Sequence, residues 1–312
     1  MLPNVAGDSV VKEELMPNFT LGFQAMGSHI HVWLNTPTMT DAQILNDIPV
    51  WFEQWEQTFS SFHPDSELTL LNNCAEQWVR VSPAMLDTVS VAVRMFQETD
   101  GLFNPLVFPS LDATRYEVKY STVSFRPSRT HRRRSTTTYD YHDILIDSEK
   151  QAIQIPAGAQ IDLSGLTKGW AAQQVANRLS EIGACLVDVG GAIVARGAPD
   201  DSGGWLVSIH KPDRPGILYT LLLTDSAVAT SGTDYRHWIR DSKRVNVRGV
   251  RSDNSDVLSA TVVAPDAVQA EAWAHAAHIS GKLPQFPTVL VRQGGSVVCN
   301  PEIESLRIFD VQ

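Results

Sequence analysis

The chain has 312 residues, 43% of them apolar, 19% charged and 8% aromatic, with 19 Gly and 17 Pro, a globular composition that excludes disorder, collagen and coiled coil. At roughly 100 to 200 residues per domain, that length allows one large domain or two closely packed ones with ample core. Twenty-five Lys and Arg against 35 Asp and Glu leave a formal charge of −10, which repels a polyphosphate backbone, so nucleic acid is not expected as the main partner.

Residues 1–18 read as an irregular lead-in. In LGFQAMGSHIHVWLN (21–35), Ile30, Val32 and Leu34 alternate with His29, His31 and Trp33, the period of a strand, entered through a Met-Gly turn. Thr40 is a candidate cap for a helix over 41–60 carrying Trp51, Phe52, Trp55 and Phe59, which Pro49 either breaks or starts. Ser82 followed by Pro83 is a stronger helix start. Leu86, Val89, Val93 and Phe96 stripe that helix, and Gly101 ends it.

Beyond the turn-rich stretch 102–142, ILID (144–147) and AIQIP (152–156) predict a hairpin. A helix is expected over 166–182, on Leu166, Val175, Leu179 and Ile182, with Gly183 as its C′ residue. Apolar runs at 184–189, 192–196, 205–209, 217–223, 227–229 and 259–264 predict strands of one antiparallel or mixed sheet. A helix over 266–280 and strands at 288–291 and 296–299 follow. The fold class is α+β, in packed layers of helices and sheets.

Cys74, Cys185 and Cys299 are widely spaced and odd in number, which suggests buried thiols in a reducing compartment, neither a disulfide scaffold nor a zinc ribbon. The basic run RTHRRR (129–134) reads as a solvated loop. The start MLPNVAGDSVVKEEL lacks a basic segment followed by an apolar run, and no stretch of about 18 apolar residues occurs. A soluble, cytoplasmic protein without an integral membrane segment is expected.

Four segments carry residues suited to chemistry. In IDLSGLTKGWAA (161–172), Asp162 and the small Ser164 and Gly165 lead into a helix holding Lys168. Such a helix start can cradle an anion, or it is a plain strand-to-helix turn with Asp162 as a cap. In VDVGGAIVARG (187–197), Gly190 and Gly191 mark a bulge or close backbone approach and lack the third glycine of a dinucleotide fingerprint. In AVATSGTDYRHW (227–238), Thr230, Ser231 and Gly232 form a turn suited to a phosphate or flavin edge, or an ordinary Ser-Gly turn. In AEAWAHAAHISG (270–281), Glu271, His275 and His278 recur at i, i+4 and i+7, on one helix face. That face can bind a divalent ion, or it is a half-exposed surface beside alanines.

In this order the segments resemble the ApbE family, the FAD:protein FMN transferases. AMGSHIHV (25–32) is similar to the family's MGT-type strand, and FSSFHPDSELTLLN (59–72) to S-x-(Y/F)-x-x-x-S-E-L-x-x-x-N. TDGLFNPLVFP (99–109) is similar to T-G-G-A-F-D-x-T-V-x-P, and SATVVAPDAVQAEAWAHAAHISG (259–281) to the family's closing strand and helix. The resemblance covers about residues 22–300 and implies one transferase domain over 19–312, of one or two packed lobes, with an FAD cleft between them. It implies transfer of FMN from FAD to a Thr or Ser hydroxyl of a target flavoprotein, releasing AMP, with Mg²⁺ at the pyrophosphate. It places Met26, Phe62, Leu102, Phe103, Asn104, Asp162 and Lys168 at flavin- or adenine-contacting positions. It places Gly165, through its backbone oxygen, with Glu271 and His275 at the metal.

Four departures follow from the same alignment of motifs. Asn104 stands where the family has Asp, Glu271 replaces an Asp, and His275 replaces a Thr, which favours Mn²⁺ or Zn²⁺ over Mg²⁺. The family's H-I-I-D-P-x-T-G stretch, whose His is a candidate general base, is not recognisable between Tyr235 and Ser259, and His237 lies too early to replace it. No catalytic residue is therefore assigned. The alternatives are a non-catalytic FAD-binding protein on the same fold and a hydrolase that splits FAD to FMN and AMP.

Overall fold

The computed structural model describes residues 18–107, 139–199, 203–232 and 256–308, and the backbone alone of 237–240 and 243–246. The basic run 129–134 and most of 110–142 lie outside the described residues. The helices in chain order are α1 (Met39–Ala42), α2 (Ile48–Phe59), α3 (Glu67–Asn73), α4 (Pro83–Glu98), α5 (Thr167–Leu179) and α6 (Ala267–Ser280). With the antiparallel sheets they make the expected α+β class. The chain divides into two compact units, the first within residues 1–54, 166–246 and 250–312, the second mainly within 55–165.

The first unit is built on an eight-stranded sheet in the order Phe19–Ala25, Ser28–Asn35, Ala184–Val189, Ala192–Arg196, Ser226–Gly232, Val257–Ala264, Thr288–Arg292, Val297–Cys299. Every neighbouring pair is antiparallel. The period-2 pattern does what it promised: Ile30, Val32 and Leu34 are fully buried, while the alternate His29, His31 and Trp33 are not. On one face, Leu186, Ile193, Val228, Val263 and Val289 pack with Trp205, Val207, Leu221 and Leu223.

Those last four residues correct the expectation of one sheet. Trp205–His210 and Ile217–Leu223 pair with each other and with Arg307–Ile308 as a separate three-stranded layer. Alternating burial on Trp205–His210 shows why: one of its faces meets the large sheet and the other does not.

α5 and α6 also belong to the first unit, and their residues are small where they meet. Gly169, Ala171, Ala172 and Ala176 are buried on α5, and Ala267, Ala270, Ala274 and Ala277 on α6. A Cβ on Gly169 would lie 2.8 Å from the Ala267 carbonyl oxygen, so the two backbones nearly touch. Asp266 caps α6, its Oδ1 accepting from Gln269 N at 2.8 Å, and the left-handed Gly281 closes it.

Three local readings are corrected here. Thr38, not Thr40, is the cap of α1, its hydroxyl accepting from Asp41 N at 3.1 Å, and a 3-10 turn at Gln43–Asp47 separates α1 from α2. Pro49 thus starts α2, in a turn whose N–H groups need no helical partner. Gly183 is not the left-handed cap of α5, since Ser180 caps that helix in the right-handed region. Its lack of a side chain answers a close approach, because a Cβ would sit 2.2 Å from the Asn35 carbonyl oxygen. Finally, Thr230, Ser231 and Gly232 are strand, not turn: Thr230 pairs with Thr261, their hydroxyls 2.9 Å apart.

The second unit packs α3 and α4 with two small sheets. The predicted hairpin is present, Leu145–Asp147 pairing with Ala152–Gln154, and Val79–Arg80 adds a third strand. Ser82 caps α4 with Pro83 in its first turn. The buried stripe of α4 is Met85, Thr88, Val89, Ala92, Met95 and Phe96, so Leu86 and Val93 fall on its half-buried flanks. Of the three free cysteines only Cys185 is buried; Cys74 and Cys299 are half-buried, against expectation. Among the described residues no helix is long and apolar enough to cross a membrane.

Candidate functional site

In the second unit, the S-E-L-x-x-x-N residues are bracing. Ser66 caps α3 by accepting from Thr69 N at 3.1 Å, the Glu67 carboxylate accepts from Ser82 N, and Leu68 is buried. Asn72 closes a pair of hydrogen bonds on the Ile161 backbone, donating to its oxygen at 2.9 Å and accepting from its nitrogen at 2.7 Å. That pair fixes the segment which carries Asp162.

The T-D-G-L-F residues end α4 in a sharp turn. Buried Thr99 donates to Met95 O at 2.7 Å and accepts from Phe103 N at 3.0 Å, while Asp100 and Gly101 take φ of 50° and 78°. Leu106–Val107 then pairs with Gln160–Ile161, and Asp162 N donates to Pro105 O at 2.8 Å. This zipper gathers Phe103, Asn104, Asp162 and Gly165.

Each of these residues has a definite local task. Asn104 Oδ1 accepts from Leu106 N at 2.8 Å, and Asp162 Oδ1 from Ser164 N at 2.8 Å, two side-chain-closed turns. Phe103 is buried with its ring edge against Gly165, where a Cβ would lie 3.2 Å away. Leu102 and Phe62 are instead exposed, the latter at 47%.

In the first unit, two tight turns lie side by side at one end of the large sheet. Met26 and Gly27 have φ of 51° and 63°, and Gly190 and Gly191 have 60° and 92°. Positive φ at both central residues marks the two-residue hairpin turn. The glycine pair is thus a hairpin turn as well as the expected close approach: a Cβ on Gly190 would lie 2.6 Å from Ser28 Oγ. Gly190 N donates to His29 O at 3.1 Å, tying the two turns together.

The start of α5 comes to the same place. Lys168 Nζ donates to Gly190 O at 3.4 Å. Gly169 N, one of the N–H groups that a helix start leaves without a helical partner, donates to Glu271 Oε2 at 2.9 Å. In return Gln173 Oε1 of α5 accepts from Ala267 N at 3.2 Å, so each helix caps the other. The extra methylene of Glu over Asp lets the carboxylate reach across to α5. A carboxylate there also sits well against the positive end of the helix.

Glu271 and His275 occupy successive turns of α6, so a carboxylate and an imidazole share one face. Among the described residues no group of three or more His, Cys, Asp or Glu is arranged for a metal ion. Glu271 and His275 are residue types that could serve a transition metal. A ligating carboxylate held by an N–H is the usual way such a ligand is oriented.

Asp188 was missed by the sequence reading. It is the only charged residue among the described residues that are buried, 8% exposed, and it stands two residues before the glycine turn. Its Oδ1 accepts from Gly191 N at 2.8 Å, and its Cα partner on the next strand is His31. Burial holds its carboxyl above the ordinary value of 3.8, against the opposing pull of the Gly191 N–H, His31 and Lys168. An acid inside the apolar run CLVDV was the available signal, since charged residues are rarely buried unless they are paired.

Comparison with known proteins extends over the same segments. The ApbE family model matches residues 26–294. The FAD:protein FMN transferase of Escherichia coli K12 is 27% identical over 271 residues, 82% of this chain and 76% of that protein. The enzyme of the same name from Vibrio cholerae is 27% identical over 82% of this chain and 80% of its own. The crystal structure of the ApbE protein of Thermotoga maritima superposes with a TM-score of 0.78 at 22% identity, covering 93% of this chain and 99% of that one. The flavin transferase ApbE from Vibrio cholerae superposes with a TM-score of 0.71 at 21% identity, covering 92% and 98%.

Proposed function

Because this chain belongs to the ApbE family, we propose that it transfers the FMN half of FAD to a Ser or Thr hydroxyl of a target flavoprotein and releases AMP. The observation that carries the reading is the match through residues 26–294, which crosses both units, together with the mutual capping of α5 and α6 around Glu271. One transferase domain over 19–312, preceded by the lead-in 1–18, is part of the proposal.

The residues proposed for FAD are Met26 and Lys168 in the first unit and Phe62, Leu102, Phe103, Asn104 and Asp162 in the second. Lys168 offers positive charge for a phosphate beside the glycine turn. Met26 holds a positive φ, which costs a non-glycine residue about 1 kcal/mol or more and is a common mark of a functional position. Asn104 keeps the turn that an Asp would close and withholds one negative charge from a polyanionic substrate.

Glu271 and His275, with the Gly165 main-chain oxygen as a further candidate, would hold a divalent ion, Mn²⁺ or Zn²⁺ in preference to Mg²⁺. Such an ion, when bound, neutralises pyrophosphate oxygens. The free thiols fit a reducing compartment, and the cytoplasm is the proposed location.

The test is chromatography of FAD incubated with the protein, a divalent cation and a Ser/Thr acceptor peptide. AMP and a fluorescent peptide are expected in equal amounts. The second reading, an FAD-binding protein without turnover, is favoured by the unrecognised H-I-I-D-P stretch and predicts bound, intact FAD and no AMP. FMN and AMP without labelled peptide would instead mark a hydrolase.

A further inference from the structure

We propose that the acceptor docks on the outer edge of the strand Phe19–Ala25, as an extended, uncharged segment added to the large sheet, an inference that rests on the transferase reading above. That strand stands first in the sheet order and, among the described residues, pairs only with Ser28–Asn35. The two are joined by a two-residue turn, Met26 and Gly27, so Ala25 and Ser28 form a hydrogen-bonded pair and bonded positions alternate from there. Phe19, Leu21, Phe23 and Ala25 therefore turn their N–H and C=O groups to the neighbouring strand. Those of Thr20, Gly22 and Gln24 point outward, and these three are the exposed residues of the strand.

A bare edge of this kind is normally blunted by Lys, Pro, a bulge or a covering element. The segment FTLGFQA carries no charge and no proline, and its register runs unbroken from Phe19 opposite Leu34 to Ala25 opposite Ser28. In a chain of net charge −10, seven residues without charge suit a neutral partner strand. On one face, Phe23 packs edge-on against buried Phe52 with ring centroids 5.3 Å apart, which holds the strand in place.

Gly22 supports the same reading. Its φ is not positive, and a Cβ there would meet nothing closer than His31 Cδ2 at 3.4 Å, so neither a turn nor a neighbour inside the chain requires glycine. A glycine inside a strand that has no bulge marks the close approach of a ligand or of another backbone.

The place where the strand ends selects the occupant. Its last residue leads into the Met26–Gly27 turn, and Gly190 N, donating to His29 O, ties that hairpin to the glycine turn at which Lys168 donates. Both turns carry positions proposed above for FAD. From an added strand to Ala184–Val189 is three strand spacings of about 4.8 Å, a distance that about four to five extended residues cover. A segment held by backbone hydrogen bonds on this edge thus brings a Ser or Thr, placed that many residues beyond its last paired residue, to the position proposed for phosphate.

The test is amide hydrogen exchange on the full chain with FAD and Mn²⁺, with and without an end-blocked peptide of alternating Val and Gln that carries one Ser. In the free chain the Thr20, Gly22 and Gln24 amides are expected to exchange faster than those of Leu21 and Phe23. With peptide at about ten times its Kd, exchange at the three should slow about tenfold. Unchanged exchange at peptide concentrations up to about 1 mM overturns the docking site. So do three amides already as slow as Leu21 and Phe23 in the free chain, which would show the edge covered by a second copy or by residues 1–17. Gly22→Pro removes one outward N–H and leaves the ladder groups of Leu21 and Phe23, so the KM for peptide labelling is expected to rise about tenfold while FAD affinity by fluorescence is kept. An unchanged KM contradicts the proposal; the exchange arm needs no variant. Slowed exchange without AMP or labelled peptide refutes the transferase reading and leaves the edge as a strand-binding surface.

Discussion

Replacing Gly169 by alanine tests whether the contact between α5 and α6 is as tight as the structure shows. The added methyl would stand 2.7 Å from Glu271 Oε2 and 2.8 Å from the Ala267 carbonyl oxygen. The second of these is backbone and cannot swing aside. Alanine gains at most about 1 kcal/mol over glycine in helix propensity. Against that, overpacking costs about 1–3 kcal/mol, and weakening the N–H bond to a charged carboxylate costs about 1.5–3 kcal/mol. The steric push and the weakened bond are one event, so they are not added, and a net loss of about 2 kcal/mol is expected. Urea unfolding followed by tryptophan fluorescence measures it. Because the same bond orients Glu271, Mn²⁺ affinity by electron paramagnetic resonance should fall about 10- to 100-fold. An unfolding midpoint at or above that of wild type would refute the reasoning, because propensity alone would then decide.

His275→Thr should move metal preference from Mn²⁺ or Zn²⁺ toward Mg²⁺ in calorimetric titrations, and unchanged preference would show that His275 does not ligate. Asn72→Ala removes both hydrogen bonds to the Ile161 backbone and should cost about 1–3 kcal/mol in the same urea assay, a neutral outcome contradicting its bracing role. For Asp188 the sign follows from its raised pKa: the folded state binds the proton more tightly than the unfolded, so stability falls as pH rises through the window above 3.8. Asp188→Asn, which can still accept from Gly191 N, should flatten that fall and stabilise the protein at neutral pH; an unchanged pH profile of urea midpoints would contradict the burial of the charge.

Local signals carried far in this chain. Ser82 with Pro83 and the alternation at 30–34 each reported a cap or a face that depends only on residues a few positions away. The resemblance placed Glu271 on α6, and its bond to Gly169 shows what that carboxylate holds in the fold. What stayed hidden was set by distant partners. His31 and Asp188 meet through strand pairing across a long sequence separation, and no local period encodes that register. The detachment of Trp205–His210 from the large sheet, and the close approach that makes Gly183 obligatory, are likewise decided by tertiary packing. Thr38 and Thr40 are equal as hydroxyls; the chain direction entering α1 chooses between them.

The most direct measurement of the central claim is the intact mass of a Ser/Thr acceptor protein after incubation with this chain, FAD and Mn²⁺. The account predicts an acceptor heavier by one phosphoester-linked FMN, with labelling lost when the acceptor hydroxyl is replaced by alanine. An acceptor of unchanged mass beside intact FAD, across Mg²⁺, Mn²⁺ and Zn²⁺, would contradict it.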